Sequence, residues 1–194
     1  MQPGDLPGVV RVHQYAFDGF FLDQMGGSFL RQYYATVLSY GASLSLVAVD
    51  PSDEVIGIAV GFLDPRAFYA HFRRCRLHFV PAIVLALLRR PGLLRGILTN
   101  TRRLATGGAL GADVAELASL GVRASGSGVG SRLLARFCEE MFSTGASRIV
   151  LTTDDDANGS VQSFYERRGF RHVGQEVRGV RVLRQYELKA PERG

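Results

Sequence analysis

The stretch Val122–Arg132 (VRASGSGVGSR) constrains the fold more than any other part of the chain. It reads as a strand end, a glycine-rich turn and a helix start. Gly126, Gly128 and Gly130 alternate, so the backbone can adopt left-handed angles and approach a ligand without Cβ interference. Several N–H groups and the positive end of a helix dipole then converge on one spot, which suits an anion such as a pyrophosphate. Taken alone, the triplet also fits an ordinary turn and helix start. A Rossmann fingerprint is disfavoured, because the motif lies two-thirds of the way along the chain and after a hairpin pattern, not after the first strand of a βαβ unit. No GK[ST] follows, which excludes a P-loop.

The flanking pattern gives an α/β fold. Val9 to Phe21 and Gly27 to Tyr40 read as helices, the second with Phe29, Leu30, Tyr33, Tyr34 and Val37 at three- and four-residue steps. Leu44–Asp50 and Val55–Leu63 read as two strands joined by the turn Pro51–Glu54. Phe68–Leu88 and Leu93–Leu104 carry helical periodicity around breaks at Pro81 and Pro91-Gly92. Asp113–Val122 alternates as a strand, which predicts Val114, Glu116, Ala118 and Leu120 on one face and Ala115, Leu117, Ser119 and Gly121 on the other. Val129–Phe142 is an amphipathic helix with Val129, Leu133, Leu134, Phe137 and Met141 on its apolar side. Arg148–Thr152 is a further strand and Asn158–Arg168 a further helix, after which His172–Gly174 and Val180–Leu188 close the sheet. The 194 residues fit one domain, 1–194.

Charge is concentrated. Residues 66–103 hold nine arginines and no acid, so the rest of the chain carries about −4 against an overall +5. A solvated helix face with snorkelling arginines explains this, and so does an anionic partner, substrate or membrane surface. Nucleic acid is excluded as a partner, because the arginines alternate with Leu, Ile and Phe. The longest apolar run, Phe79–Leu88, is ten residues and too short to span a bilayer. Cys75 and Cys138 read as free thiols in a reducing compartment, and the N-terminus lacks the pattern of a secretory leader, so the expected location is cytoplasmic. No His/Cys/Asp cluster has metal-ligand spacing, and no G-x-S-x-G elbow appears.

About thirty residues beyond the glycine turn comes NGSVQSFYERRGF, Asn158–Phe170. If helical, it puts Asn158 and Tyr165 two turns apart on one face. The two motifs, in this order, resemble the acyl-CoA-binding core of the GNAT superfamily of N-acyltransferases. Gly128 and Gly130 match the glycines of its phosphate turn, while Ser125 departs from its usual Arg or Gln; Arg123, two residues earlier, is a candidate to compensate. Asn158, Val161, Phe164, Tyr165, Gly169 and Phe170 match its second motif. The resemblance covers residues 113–175 specifically.

It implies a mixed, mostly antiparallel sheet of six to seven strands flanked by helices; the Arg-rich helical insertion (66–105), before the fourth strand, is not part of the minimal family core. It implies an acetyl-CoA or other acyl-CoA donor, no metal, and direct attack of a primary amine of a small molecule on the thioester. The sheet would splay between the strand ending at Val122 and the strand Arg148–Thr152. Leu120, Gly121 and Val122 would line the pantetheine, and the amides of Ser127, Gly128, Val129, Gly130 and Ser131 would hold the pyrophosphate beside Ser125 and Gly126. Asn158, Phe164 and Arg168 complete the implied cofactor contacts, and a loop N–H near Val122 would polarise the thioester carbonyl. Tyr165 resembles the general acid. Glu116 is the candidate base, with a solvated or paired strand glutamate as the alternative; His13, His71 and His78 lie where the acceptor site would border. An acidic acyl carrier protein docked on the arginine segment is an alternative donor, and a non-catalytic CoA-binding or membrane-peripheral module a further one. A membrane surface is disfavoured, and the chain is expected as a monomer or homodimer.

Overall fold

The computed structural model describes residues 1–94, 110–154, 159–178 and 181–191. Its helices are α1 (Leu6–Ala16), α2 (Phe21–Gln24), α3 (Gly27–Leu38), α4 (Pro65–Arg74), α5 (Val80–Arg89), α6 (Val129–Ser143) and α7 (Gly159–Glu166). The strands are β1 (Ser43–Val49), β2 (Val55–Leu63), β3 (Val114–Val122), β4 (Arg148–Asp154), β5 (Arg171–Arg178) and β6 (Arg181–Lys189). They form one sheet in the order β1-β2-β3-β4-β6-β5, antiparallel except for β3 beside β4. The strand expected as the fourth of the family fold is therefore the third of the six described here.

The expected elements form where the periodicity puts them, with edges shifted for local reasons. The first helix stops at Ala16, short of Phe21, and Gly19 at φ +76° turns the chain before α2. The Phe68–Leu88 pattern divides before Pro81: α4 ends at Arg74, a 3-10 turn spans Arg76–Phe79, and Pro81 lies in the first turn of α5, where a missing N–H is harmless. Asp64 caps α4 by accepting a hydrogen bond from the Ala67 amide at 2.9 Å. The second half of the insertion, including the pattern from residue 95 to Leu104, lies outside the described residues.

The sheet is buried on both faces. On one side α1, α3, α4 and α5 cover Ile58, Val60 and Phe62. On the other, α6 and α7 cover Ala59, Ala115, Leu117, Ile149 and Leu151. Every apolar position expected on α6 is buried in this second core. Strand β2 accordingly reads as a nearly continuous apolar run. Its α6-facing positions are small, Gly57, Ala59 and Gly61, and this lets α6 lie close: a Cβ on Gly57 would fall 2.9 Å from both Leu133 and Val129 side chains.

The simple alternation expected of β3 does not hold. Val60 stands opposite Ser119 and Gly61 opposite Leu117, so Ala118 is skipped and forms a bulge. The extra residue reverses the parity of the strand. Ala115 and Leu117 pack toward α6, but beyond the bulge it is Leu120 and Val122 that do so. Ser119 and Gly121 are turned to the other face, where Gly121 meets Ala16 and Phe17 of α1. Leu120 is thus not on the face of Glu116, as strict alternation had it, and Ser119 is.

Gly61 makes the bulge sterically possible, since a Cβ there would sit 2.1 Å from the Glu116 carbonyl oxygen and 2.6 Å from the Phe137 ring. Gly61→Ala is expected to lower unfolding stability by about 1–3 kcal/mol. Gly4→Ala, where nothing lies within 4 Å, is the control that should leave the urea midpoint unchanged.

Candidate active site

Strands β3 and β4 run parallel but pair at only three positions, Val114 with Arg148, Ala115 with Ile149 and Glu116 with Val150. Beyond Glu116 they part, while β3 keeps its pairing to β2 and β4 its pairing to β6. The sheet is forked where the family resemblance implies a splay. The fork opens toward the Val122 end of β3 and the glycine turn.

At that end Gly126 and Gly128 take left-handed backbone angles, φ +81° and +76°. Gly128 is the N-cap of α6, and no side chain caps the helix. The first-turn N–H groups of α6, from Val129 to Ser131, are therefore left without a side-chain acceptor, as a helix N-terminus that binds an anion requires. No acid stands in that first turn. Gly130 faces the ends of both neighbouring elements, since a Cβ there would lie 3.5 Å from Val122 and 3.9 Å from the Phe164 ring. Ser127 closes the turn by donating to the Ala124 carbonyl at 3.0 Å, and Ser125 is exposed on it.

The cations around the turn differ from the expectation. Arg123 is held by Glu54 at 2.8 Å, so it does not compensate for Ser125. Two other arginines do stand there. Arg168, beyond the end of α7, donates to Ser131 Oγ in the first turn of α6 and to the Phe164 carbonyl at 2.7 Å, and its guanidinium lies 3.7 Å over the Phe164 ring. Arg132 is not among the residues the motifs single out. One of its guanidinium nitrogens lies 3.4 Å from where a Cβ on Gly128 would be. Its spacing of four residues from Gly128 was the available signal, because helix side chains lean back over the preceding turn.

Tyr165 and Glu116 stand on opposite faces of the sheet. Tyr165 is 8% exposed in the α6 core, its ring 5.2 Å from Phe164, 5.6 Å from Phe170 and 6.2 Å from Tyr186. Burial, and to a smaller degree the neighbouring Cys138, pushes its phenol well above the ordinary value, so the hydroxyl keeps its proton. Burial likewise pushes the Cys138 thiol up to about 12. Glu116, at the last paired position before the fork, accepts a hydrogen bond from Tyr69 of α4 at 3.0 Å. The sequence motifs do not anticipate Tyr69, nor a loss of pairing at Ala118, which has no register partner on β2 or β4. By contrast, the Arg123 amide, the N–H next to Val122, is already bonded to the Ile56 carbonyl at 2.9 Å. Asn158 lies outside the described residues.

The histidines do not converge. His13 is 3% exposed, and its Nδ1 lies 2.7 Å from the Tyr34 hydroxyl, which is also hydrogen-bonded to Ser119 just past the bulge. His71 bonds Ser39 Oγ at 2.9 Å, and His78 is exposed on the turn before α5. Among the described residues no group of three or more His, Cys, Asp or Glu could hold a metal ion, and no helix is long and apolar enough to cross a membrane.

A forked mixed sheet with a glycine turn feeding an uncapped helix at the fork defines a class of acyl-group transferase folds. The chain belongs to the GNAT acetyltransferase family, whose sequence profile matches residues 14–170. Solved structures agree in fold across nearly the whole length. The ribosomal-protein-S18-alanine N-acetyltransferase of Escherichia coli is 13% identical, with 100% of this chain and 93% of that one covered and a TM-score of 0.62. The PaiA N-acetyltransferase of Thermoplasma acidophilum, solved with coenzyme A, is 15% identical over 98% and 96%, with a TM-score of 0.59. An acetyltransferase of Thermus thermophilus is 16% identical over 98% and 94%, with a TM-score of 0.60. No curated protein matches the sequence.

Burial holds the His13 imidazole down at about 4 from its ordinary 6.5. The unfolded chain therefore binds the extra proton first as pH falls. Stability should be fully present above pH 6.5 and fall by about 3 kcal/mol as the pH drops to 4. In His13→Gln that part of the acid slope should disappear, which urea unfolding at a series of pH values will show.

Proposed function

We propose that this protein transfers an acetyl or longer acyl group from acyl-CoA to a primary amine of a small molecule, by direct attack on the thioester. The observation that carries this reading is the placement of Glu116 and Tyr165 on opposite faces of the sheet, on either side of the strands that cease to pair beyond Glu116. A donor arriving along the α6 face and an acceptor arriving along the α4 face would meet where β3 and β4 part.

The proposed roles follow from the geometry. The amides at the start of α6, with Gly126, Ser127, Gly128 and Gly130 giving the backbone close approach, hold the pyrophosphate, and Arg132 and Arg168 supply positive charge beside it. Leu120, Gly121 and Val122 line the path from the turn to the fork. Glu116 takes a proton from the ammonium acceptor, directly or through a water, and Tyr69 holds its carboxylate in place. The amine nitrogen attacks the thioester carbon, and the backbone of the Ala118 bulge is the proposed donor to the charge that develops on the carbonyl oxygen. The C–S bond then breaks and Tyr165 gives its proton to the departing thiolate, while the attacking nitrogen loses its second proton to solvent, from which Tyr165 is reprotonated. Buried placement raises the phenol, but it raises a thiolate entering the same apolar surroundings too, so the transfer stays feasible. Asn158 is a proposed contact to the donor by its match to the family motif.

A carrier-protein donor docked on the arginine segment has less support. That segment leads into α4, which joins the sheet at the Val114–Glu116 end of β3 through the Asp64 amide bonded to the Val114 carbonyl. The phosphate turn is at the other end of the strand.

Release of CoA thiol from acetyl-CoA in the presence of a panel of primary amines tests the reading. Tyr165→Phe is expected to lower kcat by about 10²–10⁴ with little change in the KM for acetyl-CoA. Glu116→Gln is expected to lose a similar factor at pH 7 and to recover as pH approaches the acceptor's own pKa, where the amine no longer needs a base. Thiol release unchanged in both variants, or absent with every acyl-CoA and amine, would contradict it.

A further inference from the structure

The insertion between β2 and β3 carries a feature that acyl transfer does not use. Along the turn and helix from residue 77 to 94 one face is aliphatic and open to solvent: Leu77 (72% exposed), Val80, Val84, Leu85, Leu88 (77%) and Leu94. Within α5 the steps of four, one and three place Val80, Val84, Leu85 and Leu88 on one side of the helix, with Leu77 on the 3-10 turn before it. The opposite side of the helix holds it to the protein through Ala82 and Ala86, which are buried in the core with Phe79 and Phe29 of α3. The solvent-facing aliphatic row is therefore not the helix's packing face. Contiguous exposed apolar surface of this kind marks an interaction site.

Its rim is basic. Arg73, Arg74, Arg76, Arg89 and Arg90 are exposed at the two ends of the row, and residues 65–94 contain no acid. A second copy docked by a two-fold axis would bring like-charged rims together, which disfavours self-association. An acidic carrier protein is disfavoured by position: on the acyl-transfer reading it must deliver its arm at the phosphate turn, at the Val122 end of β3, whereas the insertion leaves the sheet beside the Val114 end, where the Asp64 amide bonds the Val114 carbonyl. The occupant that fits is fluid, apolar within and anionic at its surface. We infer that the α5 face seats on an anionic lipid surface, with Leu77, Val84, Leu85 and Leu88 entering the headgroup–acyl boundary and the arginines paired with lipid phosphates. The disfavour with which the sequence alone treats a membrane partner is reversed by the exposure of this row, which periodicity does not reveal. The inference is independent of acyl transfer, since no residue of the fork or the glycine turn takes part.

Cosedimentation of the purified full-length protein with vesicles tests it. Vesicles of equal parts phosphatidylcholine and phosphatidylglycerol should bind the protein, vesicles of phosphatidylcholine alone should bind it about tenfold or more weakly, and added salt should weaken the anionic binding. Arg89→Glu with Arg90→Glu, and separately Leu77→Ser with Leu88→Ser, should each lower binding at least about fivefold. All four side chains are exposed, so the circular dichroism spectrum should not change. Equal binding to both vesicle types, no binding to either by the folded protein, a dimer broken by the Leu variants, or capture of an acidic carrier protein that the same variants abolish would each overturn the inference. Because acyl transfer is not the readout, its failure and this one are told apart.

Discussion

The one-residue bulge at Ala118 is the constraint on which the rest of the site depends. It forms because Gly61 offers no Cβ where the Glu116 carbonyl and the Phe137 ring come together. Once formed, it turns Leu120 and Val122 toward α6 and Ser119 and Gly121 toward α1 and α3, and it places the extra residue, Ala118, two positions beyond the last β3–β4 pair. Ser119 is then caught by the Tyr34 hydroxyl, itself bonded to His13, so the helices of one face hold the strand in its bulged register. A buried, fully neutral polar chain of this kind favours one arrangement of the strand over its slipped alternatives.

The fork and the turn follow from the same economy of pairing. Three parallel pairs are enough to join β3 to β4, and each strand then continues with its antiparallel partner. Where the strands diverge, a helix begins at Gly128 without a side-chain cap. Positive charge is supplied by side chains remote in sequence. Arg168 reaches Ser131 from beyond α7 and binds the end of one helix to the start of the other.

Much of this was legible in the residues. The apolar spacing of Val129, Leu133, Leu134, Phe137 and Met141 marked α6, and of the three glycines read in the turn Gly126 and Gly128 take left-handed angles while Gly130, already inside α6, does not. The expected splay appears at the expected strands, and the two motifs were enough to point to the family that the sequence profile then matched. What could not be read is long-range. The bulge depends on Gly61 meeting Glu116, a contact between β2 and β3 across the whole insertion. Arg123 was placed near the turn by sequence proximity, yet Glu54, 69 residues away, claims it. His13 looked like a border residue of the acceptor site and is instead enclosed by α3 and β3. Local propensity contains no information about such partners, so the signal fails at the points where distant segments choose each other.

The central claim is that the glycine turn and the start of α6 form an anion-binding cradle for the pyrophosphate of an acyl-CoA. Isothermal titration of the protein with acetyl-CoA tests it most directly, alongside Gly128→Val, which places a branched side chain at φ +76° on the N-cap. The account predicts one-to-one binding in the micromolar range for the natural sequence and a loss of about tenfold or more in the variant. Absence of binding by the folded protein, or affinity that Gly128→Val leaves unchanged, would contradict it.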